Sequence, residues 1–176
     1  MMFSLYIAEP NPEHHVVWRE VFAQSKNVEI LDCDIRALLS LPGLDAALML
    51  GALIHERFGG VMKLGESQIV SSHGKAGMPH WFVTTAPFEA SIRWRQDGET
   101  SSGVEIVQKE AVSPAEETYI VFTKAFKRIS EFNRDNPNPI MSLGFEPEAL
   151  NLRDDFQKEV QAVYSAYIEA EICKTV

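Results

Sequence analysis

The stretch DAALMLGALIHERFGG, residues 45–60, decides how the rest of the chain is read. It opens with an unbroken apolar run, then changes to His55, Glu56, Arg57, Phe58 and two glycines with no turn signal between. A short run that is apolar on both sides suits a strand covered on both faces, as in a parallel sheet flanked by helices. DAALMLG is therefore expected to be a central strand. The residues after it are either a binding loop at its carboxyl end or a helix that begins there, and a remodelled ligand loop over residues 51–60 is the expectation.

Working outward, FSLYIAEP at residues 3–10 has the form of a first strand, and Asn11 and Pro12 suit the cap and first turn of a helix. Val17, Trp18, Val21 and Phe22 then fall on one helical face. NVEILDCDI, residues 27–35, alternates as a second strand and closes on two aspartates, with at most a short helix over residues 36–41 before Pro42 and Gly43. On the other side, QIVSSH at residues 68–73 and HWFVTTAPF at residues 80–88 are expected strands joined by GKAGMP. Residues 89–102 are polar and aromatic without a clear period. Ser113, Pro114 and Glu116 form a capping box, and Tyr119, Phe122, Phe126, Ile129 and Phe132 trace the buried stripe of a long helix. PIMSLGF is again extended, and Asn151 is expected to open a last helix with Phe156, Val160, Val163 and Tyr167 facing inward.

Strands alternating with helices predict an α/β fold, a three-layer α/β/α sandwich with a mixed, mostly parallel central sheet. The 176 residues suffice for one good core and not for two, so a single domain over residues 1–176 is expected. A net charge of −9 repels a phosphate backbone, and the basic residues gather no further than Lys124, Lys127 and Arg128 on the long helix, which argues against nucleic acid as a partner. No apolar stretch approaches the roughly 20 residues a bilayer requires, and MMFSLYIAEPNPEHH has neither a basic lead nor a small-residue cleavage pattern. No membrane partner and a cytoplasmic location are the expectations. The two cysteines, Cys33 and Cys173, lack metal or redox spacing and are expected to be idle thiols.

In open α/β sheets, ligands bind beyond the carboxyl ends of the strands. That rule selects residues 9–11, 32–34, 51–60 and 142–147.

Taken in order, these pieces resemble a macro domain: LYIAEPNPEHHVVWREVFA, VEILDCDI, DAALMLG with a segment running to FGG, the GESQIV and WFVTTAPF pair, a long helix, and PIMSLGF. The resemblance implies a pocket for ADP-ribose or a related nucleotide, no cofactor, and ADP-ribosyl hydrolysis as a possible addition. In that family an aspartate after the second of these strands bonds the adenine amino group, and Asp34-Ile35 occupies that place, with Cys33 where glycine is usual. The first glycine-rich loop, which approaches the distal ribose, corresponds to Gly51 through Gly59 and Gly60, without the family's asparagine. The second, which wraps the pyrophosphate, corresponds to SLGFEPEAL, which keeps Gly144 and Phe145 but not the Gly-x-Gly spacing. Glu146 and Pro147 there supply a like charge and a missing donor. These departures suggest an alternative: a degenerate macro-like fold serving as a non-catalytic interaction or structural module.

Each candidate also has a plainer role. Asp34 can cap the short helix. His55 and Arg57 could contact ribose or phosphate, or form a solvated helical face with Glu56, since adjacent helical residues point about 100° apart. Gly59 and Gly60 could admit a ligand or merely end a helical turn. His73, His80 and Trp81 are too few for a zinc site, so no metal is expected. His14 and His15, in the first turn of a helix, are expected to face solvent. The turn EPNPEHH has no glycine for a dinucleotide fold, and no Gly-x-Ser-x-Gly elbow is present.

Overall fold

The computed structural model describes residues 3–85, 113–152 and 155–172. Residues 89–102 with Trp94, the end of the WFVTTAPF stretch and Cys173 lie outside them. In chain order the elements are β1 (Ser4–Ala8), α1 (Pro12–Val21), β2 (Val28–Leu31), α2 (Ile35–Leu39), β3 (Ala46–Met49), α3 (Gly51–Phe58), β4 (Ile69–Ser71) and β5 (Trp81–Thr84). Then come α4 (Pro114–Asp135), β6 (Ser142–Phe145), a 3-10 turn (Glu148–Leu150) and α5 (Phe156–Ile172).

The strands form one mixed sheet in the order β2-β1-β6-β3-β5-β4. Five are parallel, and β4 alone runs antiparallel, against β5. The expected α/β class and mostly parallel sheet are found. Alternation divides the sheet's side chains between its two faces. Leu5, Ile7, Leu48, Val83, Leu143 and Phe145 join the larger core with Trp18 and Phe22, the α4 stripe of Phe122, Phe126 and Ile129, and Val160, Val163 and Tyr167 of α5. Ala47, Met49 and Phe82 pack on the opposite side with Ile54 of α3 and with Ile35 and Leu39 of α2.

The connections explain this division. From β1 to β2 and from β5 to β6 the chain steps one way across the sheet, and α1 and α4 join the larger core. From β2 to β3 and from β3 to β5 it steps the other way, and α2 and α3 cover the other face. A single crossover handedness requires that pairing of direction with face. The amino ends of β3 and β6 are locked together: the Asp45 carboxylate accepts from the N–H groups of Met141 (2.8 Å) and Ser142 (3.1 Å), and the Ser142 hydroxyl accepts from Asp45 N–H at 2.8 Å.

Local signals place several elements as expected. Asn11 caps α1, accepting from Glu13 N–H, with Pro12 in the first turn. Ser113 caps α4, accepting from Glu116 N–H at 3.3 Å. Three expectations are corrected. The apolar strand ends at Met49, and residues 51–58 form α3 rather than a ligand loop. The second strand stops at Leu31, and Ile35 is the first residue of α2. Asn151 does not open the last helix; at φ 60° it closes the 3-10 turn, and α5 starts at Phe156. Among the described residues no helix is long and apolar enough to cross a membrane.

Candidate functional site

Parallel pairing brings the carboxyl ends of β1, β2, β3, β5 and β6 to one edge of the sheet. The connection after β1 leads one way and that after β3 the other, with β6 between them, so this edge holds the topological switch point. Glu9 follows β1, Asp32 to Asp34 follow β2, Leu50 and Gly51 follow β3, Thr85 follows β5, and Glu146 follows β6.

Asp34 is exposed and caps α2, its Oδ1 accepting from Ala37 N–H at 3.1 Å. Its second carboxylate oxygen has no hydrogen-bond partner among the described residues. Ile35 N–H is already engaged, donating to the Glu146 carboxylate. Glu146 is buried, and its Oε2 finds no partner among the described residues. Burial pushes its pKa above the ordinary value, the neighbouring Glu148, Asp34 and Glu9 charges add to the rise, and the Ile35 N–H opposes it. Cys33 is a free thiol pushed up by burial and then by Asp34, Glu146 and Asp32. A thiol held in that direction is a poor nucleophile.

Beside this pair stands a network that sequence reasoning undervalued. Glu9 is buried; its Oε1 accepts from the Trp18 indole N–H at 3.1 Å and lies 3.3 Å from His14 Nδ1, while Oε2 accepts from Asn11 N–H at 3.3 Å. His15 is also buried, bonded through Nε2 to the Glu9 carbonyl and lying 3.9 Å from Asp32 Oδ1. His14 stacks on Phe156 at 3.8 Å between ring centroids. The expectation of solvent-facing histidines is corrected for His15, which is buried against the Glu9 carbonyl, whereas the His14 side chain is 38% exposed while reaching Glu9 from the first turn of α1. The available signal was Trp18, an indole on an inward helical face that needs an acceptor when buried.

The candidate glycines Gly51, after β3, and Gly144, within β6, have packing roles. A Cβ on Gly51 would sit 2.9 Å from the Thr85 carbonyl oxygen, and its N–H donates to Thr85 Oγ1 at 3.3 Å. A Cβ on Gly144 would lie 2.8 Å from Leu38 Cδ1, so this glycine lets α2 settle onto β6. Phe145 is fully buried, edge-on to Phe122 at 4.9 Å and Trp18 at 5.9 Å.

The remaining candidates are carried away along α3, by about 6 Å at His55 and about 12 Å at Gly59 for a rise of 1.5 Å per residue. His55 Nδ1 is 3.2 Å from the Gly59 carbonyl, and its Nε2 has no partner among the described residues. Gly59 N–H closes the last turn on His55 O, and Gly59 and Gly60 hold φ of 84° and 87°, which favours glycine. They end the helix. Arg57 is exposed. Asp34, Ile35 and Gly51 thus stand at the carboxyl edge, Gly144 and Phe145 lie within β6, paired with β1 and β3 and packed on opposite faces, and His55, Arg57, Gly59 and Gly60 are carried away from the edge. Among the described residues no group of three or more His, Cys, Asp or Glu side chains could hold a metal ion. No protein-family model, curated protein or solved structure matches the chain.

Proposed function

We propose that this chain is a three-layer protein of macro-domain type whose carboxyl-edge crevice takes ADP-ribose or a related adenine nucleotide. One observation carries the proposal: Asp34 and Ile35, the pair expected to meet adenine, stand at the sheet's switch point beside the ends of β1, β3 and β6. The second Asp34 oxygen, without a hydrogen-bond partner among the described residues, is an acceptor for an exocyclic amino group. His55 and Arg57, the candidates for ribose or phosphate contact, are carried away from this edge along α3, and the proposal is for binding.

Calorimetric titration with ADP-ribose tests it, using Asp34→Ser as the discriminating variant. Serine caps a helix about as well as aspartate, so stability should stay within a few tenths of a kcal/mol. It is too short to reach the ligand, so affinity should fall about tenfold or more, the value of one charge-assisted hydrogen bond. Absence of heat from the wild type at millimolar ADP-ribose removes the proposal.

A second proposal rests on Glu146, Leu38 and Thr85. The Glu146 carboxylate already takes the Ile35 N–H, and Leu38 and Thr85 already occupy the space above Gly144 and beside Gly51. Glu9, Asp32, Asp34 and Glu146 also repel a diphosphate. On this view the crevice is filled by the protein's own side chains and the fold is a non-catalytic interaction module, which predicts a silent titration.

A further inference from the structure

We propose that the basic cavity between the 63–68 segment and the outer face of α4 binds a small phosphate-bearing anion. The cavity measures about 600 Å³ and is lined by Lys63, Gln68, Lys124, Lys127, Arg128 and Glu131, among others. It lies on the α4 side of the sheet, whereas Asp34 caps α2, which packs on the other face.

The walls are held in place before any ligand arrives. Ser67 Oγ donates to Thr84 O at 2.6 Å, and Gln68 N–H donates to Thr84 Oγ1 at 2.9 Å. The Gln68 side chain braces the segment from within, accepting from Lys63 N–H at 2.9 Å and donating to Val61 O at 2.8 Å. Lys124 Nζ donates to Gly65 O at 2.6 Å, which fastens the segment to α4.

Charge then selects the ligand. Four cations face this space against two carboxylates, Glu66 and Glu131, in a chain whose net charge is −9. Lys124, Lys127 and Arg128 stand at i, i+3 and i+4, a spacing at which like charges destabilise a helix. Only part of that repulsion is relieved within the chain. Lys124 takes a carbonyl, and Arg128 lies 3.6 Å from Glu131. Lys63 and Lys127 have no ion-pair partner among the described residues. A guanidinium fork beside ammonium groups suits a phosphate, which accepts bidentately and carries up to two charges on one small group. Three cations on one helical stripe are too few for a nucleic-acid track in so acidic a chain.

Val61, Met62 and Leu64 are exposed around Lys63, at 80%, 38% and 50%. They lie beside Lys63 in the chain and outside the cavity's lining, and the anion's source is either a soluble phosphate ester or a lipid headgroup. The experiment separates them. The full chain is titrated calorimetrically with inorganic pyrophosphate and, in parallel, sedimented with phosphatidylserine or phosphatidylcholine vesicles. The variants are Lys127→Glu/Arg128→Glu, which leaves the Lys124 fastening intact, and Asp34→Ser, with folding checked by circular dichroism. The expected result is binding that weakens with salt, falls at least about tenfold in the double variant, and is unchanged in Asp34→Ser. Pyrophosphate heat without sedimentation assigns a soluble ligand; sedimentation with phosphatidylserine alone, lost in the double variant, assigns a headgroup. Binding of neither probe, or binding undiminished by charge reversal, overturns the proposal.

Discussion

Glu146 concentrates the conflict at the carboxyl edge. It is 6% exposed, bonded by Ile35 N–H, and its Oε2 has no partner among the described residues. An ionised carboxylate so placed loses more hydration than one donor returns. Its folded pKa is raised above the ordinary 4.5, so between those two values the folded state holds more protons than the unfolded chain. The stability this confers is full below pH 4.5 and is lost as pH rises through the raised folded value. Glu146→Gln keeps an acceptor for Ile35 N–H and removes the titration. Its urea midpoint is expected to exceed the wild type's by an amount that grows from pH 4.5 upward and then levels off; parallel stability curves across that range would contradict the assignment. Asp34 was legible at this scale because an aspartate directly before a short apolar run is a helix cap. Gly51 and Gly144 were not, because what makes each necessary is a residue far along the chain, Thr85 for one and Leu38 for the other.

At the scale of the element, α2 is the test of how local and tertiary terms combine. Five residues cannot hold a helix by propensity, since the nucleation cost is not recovered in so short a run. The Asp34 cap and the burial of Leu38 against β6 hold it. Gly144→Ala forces a Cβ against a side chain that is itself fully buried, and should destabilise by about 1–3 kcal/mol. Leu38→Ala should cost about 2–5 kcal/mol by leaving a cavity. In the double variant the new methyl enters the vacated space, so the combined loss in urea denaturation should be less than the sum, and strict additivity would refute the contact. α4 was readable because its capping box and its stripe coincide. The β3–α3 junction was not, because AALMLGALI is apolar across the boundary and the helix that begins at Gly51 has no side-chain cap bond to announce it. Asn151 misled because asparagine serves both as a helix cap and as a left-handed residue that ends a turn.

Across the whole molecule, the sheet order sets a gradient of protection. The larger core draws on β1, β3, β5 and β6 and on α1, α4 and α5, so these elements share one set of buried contacts and should unfold together. β2 and β4 lie at the sheet's two ends, each paired on one side only. β4 is three residues long and half-buried throughout, while every residue of β3 and of β6 is buried. Opening an edge strand breaks one ladder and exposes little apolar surface; opening β6 breaks ladders to both β1 and β3 and the Asp45–Ser142 lock. Native-state amide exchange should therefore give β1, β3 and β6 a common opening free energy equal to that of global unfolding, with β4 and β2 opening by cheaper local routes. Tryptophan fluorescence and far-ultraviolet circular dichroism should report the same urea transition. Protection of β4 as high as that of β6, or two separated transitions, would mean that the core is not the single cooperative unit its shared contacts describe.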